Sequence, residues 1–309
     1  MKILGIGNAI VDVICKVSDE FIINNNLSKG NMKLIFDENE FKKILSKLKI
    51  EKTISGGSVA NSIVGLSQLG NEVGFIGKIS DDELGNKYEV GLKKENVKYI
   101  YNRKKEILPT GTCLILITPD SERTMCTFLG IAGKINENDI NIDAIKQSEI
   151  VFLEGYLWDK GDPKKAFEKS INNSNRVAMS LSDKFCVDRH KSHFLDLVKN
   201  KIDITFANEE EVISLIDAQN FDQVVEFGKQ IKKHFVITRG AKGAISINGE
   251  EINEIGIKKN LKIVDLTGAG DLFAAGYLHG IINQLPNNDC LKKGTEMSSK
   301  IIQQIGARL

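Results

Sequence analysis

Short β-branched and aliphatic runs alternate with amphipathic stretches along almost the whole chain, and this alternation limits the possible folds more than any other feature. Lys2–Ile6, Val73–Ile76, Ile150–Leu153, Val177–Leu181, Ile202–Phe206 and Phe235–Thr238 read as buried strands. Between them, Glu40–Leu48 sets Phe41, Ile44, Leu45 and Leu48 on one helical face. Asp82–Asn96, Phe221–His234 and Asp271–Ile282 follow the same period. Strand–helix–strand units close right-handed and leave their strands parallel, with helices on both faces. The pattern predicts an α/β fold of three layers, α/β/α, about a mainly parallel central sheet.

Two stretches break the alternation. Tyr99–Tyr101, Thr112–Thr118 and Arg123–Leu129 read as neighbouring strands, the last two joined by a Pro119–Asp120 turn. With Val11–Val17 and Lys33–Phe36 they predict a small inserted sheet. Such a lid would be drawn from about 11–36 and 99–129 of a single domain spanning 1–309. Nearer the other end, Ala244–Ile247 and Glu251–Ile255 flank Asn248-Gly249, a pair suited to a type I′ hairpin turn.

Composition narrows the partners. Lys and Arg total 42 against 41 Asp and Glu, a formal charge of +1, whereas a nucleic-acid binder carries a clear basic excess. No apolar run approaches the ~18 residues of a membrane span. The first residues hold Asp12 within an apolar stretch and show no small-residue cleavage site, so no signal peptide is expected. Cys15, Cys113, Cys126, Cys186 and Cys290 are scattered and form no Cys-x-x-Cys pair, which suits reduced thiols in a cytoplasm. The expectation is a cytoplasmic protein that acts on a small molecule, with no nucleic-acid or membrane partner.

The string Asp265-Leu-Thr-Gly-Ala-Gly-Asp271-Leu-Phe-Ala-Ala-Gly276 carries the sharpest chemistry. A strand over Lys262–Val264 would end there, Gly268 and Gly270 would permit a tight turn, and a helix would begin. Free N–H groups at Gly268, Ala269 and Gly270, with the positive end of the helix dipole, would form an anion hole needing no Lys or Arg. Asp271 in the first turn could take a proton from an attacking hydroxyl while those amides hold the charge of a transferred phosphoryl group.

Other phosphate templates are missing. No Gly-x-x-x-x-Gly-Lys-Ser/Thr loop occurs, and Gly5-Ile-Gly7-Asn8-Ala-Ile lacks the third glycine of a dinucleotide fingerprint. Asp12, an acid in an apolar run, wants a polar partner, and two sugar hydroxyls would serve. Asn208 and Glu211 stand at N-cap and N3 spacing, so a capping box competes with a ligand role. Cys186, His190 and His193 offer three metal ligands with no obvious fourth, and a solvated helix start is the simpler reading.

Taken in chain order, these motifs resemble the ribokinase (PfkB) family of carbohydrate and nucleoside kinases. Residues 265–276 resemble its C-terminal signature, and Gly74-Phe-Ile-Gly77-Lys-Ile-Ser-Asp81-Asp-Glu-Leu-Gly85 its first. Gly5–Asp12 and Gly56-Gly57-Ser-Val-Ala-Asn61 resemble its substrate-binding elements. The resemblance implies that Asn8, Asp12, Gly56, Gly57 and Asn61 hold the substrate. It implies that Asn208 and Glu211, as Asn-x-x-Glu, organise Mg²⁺ and its waters near the phosphates of ATP. Thr238, Gly240 and Gly243 match the nucleotide-side Thr-x-Gly-x-x-Gly turn, and Thr267 adjoins the anion hole. By analogy Arg123 reaches the phosphates or the substrate from the lid, a solvated edge-strand charge being the other reading.

Within the family, Ala178–Phe185 and Ser298–Gly306 are similar to segments of adenosine kinases, and Gly111–Met125 to lid strands of bacterial proteins of that group. The expectation is a ribokinase-like fold that transfers the γ-phosphoryl group of ATP to the primary hydroxyl of a ribose-containing substrate, adenosine foremost. The alternatives are a ribose or fructose kinase and a catalytically idle nucleoside-binding regulator. Leu266 replaces the Thr or Asn usual beside the family's monovalent-cation site, so K⁺ would join ATP and Mg²⁺ only through backbone ligation. The lid leaves monomer and homodimer both open.

Overall fold

The computed structural model describes residues 1–120, 122–158 and 161–309. In chain order the strands are β1 (Ile3–Ile6), β2 (Ile10–Lys16), β3 (Met32–Leu34), β4 (Ile50–Ser55), β5 (Val73–Ile76), β6 (Lys98–Tyr99) and β7 (Gly111–Ile117). They continue as β8 (Arg123–Phe128), β9 (Ile150–Glu154), β10 (Val177–Ser180), β11 (Ile204–Asn208), β12 (His234–Thr238), β13 (Ala244–Asn248) and β14 (Glu251–Ile255). Among the described residues they form a nine-stranded sheet, β14-β13-β12-β11-β10-β9-β1-β5-β6, and a five-stranded sheet, β3-β8-β7-β2-β4.

The large sheet is parallel from β6 to β12 and antiparallel only in the β12–β13–β14 edge. Strands β1, β5 and β9 are buried at every residue, as strands covered on both faces must be. Their period of two divides the core. Ile3, Phe75 and Phe152 join Tyr277 on one face, while Leu4, Ile6 and Leu153 join Phe167, Phe194 and Phe235 on the other. The result is the three-layer ribokinase-like fold with a smaller separate sheet.

Several sequence expectations shift. Tyr99 pairs with Phe75 in the large sheet and not in the small one. The small sheet instead takes β4, whose residues Ile50–Ser55 lie outside the expected 11–36 and 99–129. Phe36 falls beyond β3 and is 84% exposed. The 262–264 stretch is not a strand, because the Val264 and Asp265 N–H groups both donate to the Ile302 carbonyl. The hairpin turn is centred one residue later than expected. Asn248 pairs with Glu251, leaving Gly249 and Glu250 as the loop, of which only Gly249 has positive φ. The 221–231 helix stops at left-handed Lys232, which frees His234 to open β12.

Helix Ala269–Ile282 is apolar on nearly every face and packs tightly against helix Asn287–Ile301. A Cβ on Gly276 would lie 2.3 Å from the Lys293 carbonyl oxygen. Gly276→Val is therefore expected to cost about 1–3 kcal/mol by overpacking. Urea unfolding would show this as a lower midpoint at unchanged slope.

Candidate active site

Helix Ala269–Ile282 starts at Gly268, whose φ of 76° is left-handed and whose Cβ would fall 2.6 Å from that of Ala307. No side chain caps this helix. A Cβ on Gly270 would meet nothing within 4 Å, so the space in front of the turn is open. Ala269 N–H donates back to Leu266, but among the described residues no hydrogen bond uses the Gly270 or Asp271 N–H. Two amides at a positive helix end thus face open space, a fit for an anion.

The Asp271 carboxylate is held from a second helix, Ser58–Gln68. Ser58 Oγ donates to its Oδ1 at 2.6 Å and Asn61 Nδ2 to its Oδ2 at 2.9 Å. Ser62 Oγ donates to the Asp271 carbonyl at 2.8 Å. Burial raises the Asp271 pKa above the ordinary carboxylate range, while Ser58, Asn61 and the Arg308 charge pull it back. Asn61 Oδ1 is buried without a partner among the described residues, an acceptor that a substrate hydroxyl would satisfy.

On the acceptor side, Gly56 passes directly over Asp12; a Cβ there would lie 2.4 Å from Asp12 Oδ2. Burial lifts the Asp12 pKa to about 7 against the pull of Arg308 and Arg123, and Asp271 adds to the rise. Asn8 is buried, and both its backbone N–H and its Nδ2 donate to Glu154 Oε1 at 2.8 Å. Glu154 Oε2 accepts the Val59 N–H at 3.1 Å, in the first turn of the 58–68 helix. Sequence reasoning missed Glu154; its one signal was an acid directly following the apolar run Ile150–Leu153.

Asp265 organises the turn before the helix. Its Oδ1 accepts from Thr267 N–H at 3.0 Å and Thr267 Oγ1 at 2.8 Å, and its Oδ2 from Gly306 N–H at 2.7 Å. Arg123, from the small sheet, reaches across to Asp265 Oδ2 at 2.8 Å and to Thr267 Oγ1 at 3.3 Å. Arg123 is therefore no solvated edge charge: it ties the small sheet to the turn before the 269–282 helix through a largely buried ion pair. Phe128 stacks on Phe41 at 5.3 Å, an ordinary packing role.

The remaining expected residues gather elsewhere, where β11 and β12 end with Asn208 opposite Thr238. The capping box is formed: Asn208 N–H and Nδ2 donate to the two Glu211 oxygens at 3.0 and 2.7 Å, and Glu211 N–H donates to Asn208 Oδ1 at 2.9 Å. Glu211 is 4% exposed and its pKa is lifted to about 7 by burial. Gly240 and Gly243 bound the short turn after β12, where Arg239 lies over the Phe221 ring and pairs with Glu209. Among the described residues no three His, Cys, Asp or Glu side chains converge on one point. The exposed Asn208 amide beside a buried Glu211 suits a cation that keeps its own waters and phosphate ligands. Cys186 is buried, and His193 lies against the Trp158 ring.

This combination of sheet, open helix start and poised carboxylate defines a phosphotransferase with an alcohol group as acceptor. The chain belongs to the pfkB family of carbohydrate kinases, whose model matches residues 26–309. That membership implies ATP as the donor and a sugar or nucleoside as the acceptor. The crystal structure of adenosine kinase from Sinorhizobium meliloti is 34% identical, with a TM-score of 0.91 over 100% of this chain and 95% of that one. A probable sugar kinase from Rhizobium etli is also 34% identical, with a TM-score of 0.90 over 99% and 94%. A 5-dehydro-2-deoxygluconokinase from Clostridium botulinum is 26% identical over 88% of this chain and 85% of its own.

Glu154 gives a direct test of the frame. Burial lifts its pKa from the ordinary 4.5 to about 7 despite three N–H donors. A raised folded pKa means that its share of the stability is fully present below pH 4.5 and is lost as pH rises through 7. Glu154→Gln should flatten the melting temperature across that window. Glu154→Ala, which strands three buried donors, should cost about 1–3 kcal/mol or more.

Proposed function

We propose that the protein phosphorylates the primary hydroxyl of adenosine, giving AMP. What carries this reading is the Asp271 carboxylate, fixed from behind by Ser58 and Asn61 beside the open helix start. In this reading the Gly268–Gly270 turn, with Thr267, receives the transferring phosphoryl group, and Asp271 takes the proton of the attacking hydroxyl. The raised pKa of Asp271 strengthens it as a base. Asp12, Asn61 and Asn8 accept the sugar hydroxyls, while Gly56 and Gly57 let the substrate approach the backbone. Asn208, Thr238, Gly240 and Gly243 border the triphosphate. Mg²⁺, when bound, would neutralise charge on the phosphates, with Asn208 toward it and Glu211 acting behind Asn208. Arg123 holds the Asp265–Thr267 turn, and the small sheet covers the acceptor and excludes water.

Support for adenosine comes from the 34% identical adenosine kinase. A free-sugar kinase is the second reading. It is favoured by the equally similar probable sugar kinase. ATP consumption measured with adenosine, inosine, ribose and fructose separates the two. Adenosine turnover is expected; activity confined to a free sugar would move the assignment to the second reading, and silence with all four to an idle regulator. Asp271→Asn should lower kcat by about 10²–10⁴ while leaving ATP affinity nearly unchanged. Near-normal turnover in that variant would sink the mechanism.

A further inference from the structure

We propose that Arg308 is a positioning residue of the acceptor site, the half-buried counter-charge that Asp12 and Asp271 share. The inference rests on the reading above, in which Asp12 accepts the hydroxyls of the substrate.

The C-terminal segment is laid along the phosphate turn. Ile302 O accepts from Val264 and Asp265, Gly306 N–H donates to Asp265 Oδ2 at 2.7 Å, and Ala307 packs where a side chain on Gly268 would stand. This docking delivers Arg308 to the back of the acceptor site, where its Nη2 donates to the Ser55 carbonyl. Ser55 is in register with Val11 in the adjoining strand and precedes Gly56, the residue that covers the Asp12 carboxylate. Arg308 Nε is buried and has no hydrogen-bond partner, and among the described residues no carboxylate lies within ion-pair distance of the guanidinium. A half-buried guanidinium with no carboxylate in contact depends on neighbouring charges acting through space.

The neighbours do so unevenly. Asp12 from β2, Asp271 from the 269–282 helix, and Tyr88 and Glu95 from the 83–94 helix and its end all act on Arg308. Lys52, Lys87 and Lys94 share with Arg308, Tyr88 and Glu95 the walls of a cleft of 720 Å³. Arg308 is the largest favourable influence on the ionised Asp12, and Asp271 opposes it. With Arg308 in place Asp12 already stands at about 7, and Arg123 adds a weaker pull, so its charge near neutrality leans most on Arg308. Once protonated, Asp12 loses its charge and turns one of its two acceptor oxygens into a donor, which weakens its hold on a pair of hydroxyls.

Adenosine kinetics from pH 6 to 9 for the wild type, Arg308→Gln and Arg308→Lys test this. Gln removes the charge and, being two atoms shorter, the Ser55 hydrogen bond as well, so the pH dependence of the loss is what isolates the charge. The Gln variant should show the acid limb of kcat/KM moved upward by about one pH unit or more, carried by KM. KM for adenosine at pH 6.5 should rise about tenfold and return toward wild type by pH 9, with KM for ATP unmoved. Arg308→Lys, which also serves if the Gln variant fails to fold, should keep the wild-type limb. A loss in Arg308→Gln that is equal at every pH, or a limb shifted equally in Arg308→Lys, overturns the role of Arg308 and leaves the substrate assignment standing. If the wild type ignores adenosine, the substrate assignment fails, and the same series is run with the acceptor it does phosphorylate.

Discussion

Three N–H groups from two separate elements converge on one carboxylate, that of Glu154, which is 1% exposed. Glu154 ends β9, so it inherits its position from the centre of the large sheet. Asn8 lies where the chain leaves that sheet for β2, and Val59 lies in the first turn of the 58–68 helix. One acid therefore sets the exit from the large sheet into the small one and the start of the helix that carries Ser58 and Asn61. Those two side chains in turn aim Asp271. The Asp271 carboxylate is thus placed at one remove by a group from the centre of the large sheet.

The electrostatics follow from this crowding. Asp271 lies close enough to raise both Asp12 and Glu154, and burial raises all three. Against them stand Arg123 and Arg308, both brought in from elements distant in sequence. A formal charge of +1 over the whole chain conceals this local excess of acid. The amides at the start of the 269–282 helix supply positive potential beside the cluster without adding a net charge to it.

Much of this was legible in the sequence where one residue carried its own signal. Val73–Ile76 is apolar without interruption, and it is a strand buried on both faces to the residue. The glycines before Asp271 announced a helix start, and the helix begins there. Legibility failed where the deciding partner was remote. Ile263 and Val264 look like strand residues, but the amides at 264 and 265 turn to Ile302. The edge strand β4 is studded with exposed Glu51 and Lys52, so its pattern is that of a loop. Tyr99 has strand character that says nothing about which sheet will take it. Asn208 and Glu211 supported two readings at once, and only side-chain geometry shows the closed box. Glu154 and Arg308 belong to no local pattern, because each owes its role to neighbours far along the chain.

The central place of β1 has a kinetic side. Ile3 is in register with Val73 on one edge and Ile150 on the other, so the first strand gains its second neighbour only through contacts about half the chain apart. Parallel pairing over such separations is slow, because the loop must close before the contact repays it. During that interval an apolar strand edge stays unpaired, and such edges invite association between chains. The topology that builds the site also makes early folding the stage at which this protein is most exposed to aggregation.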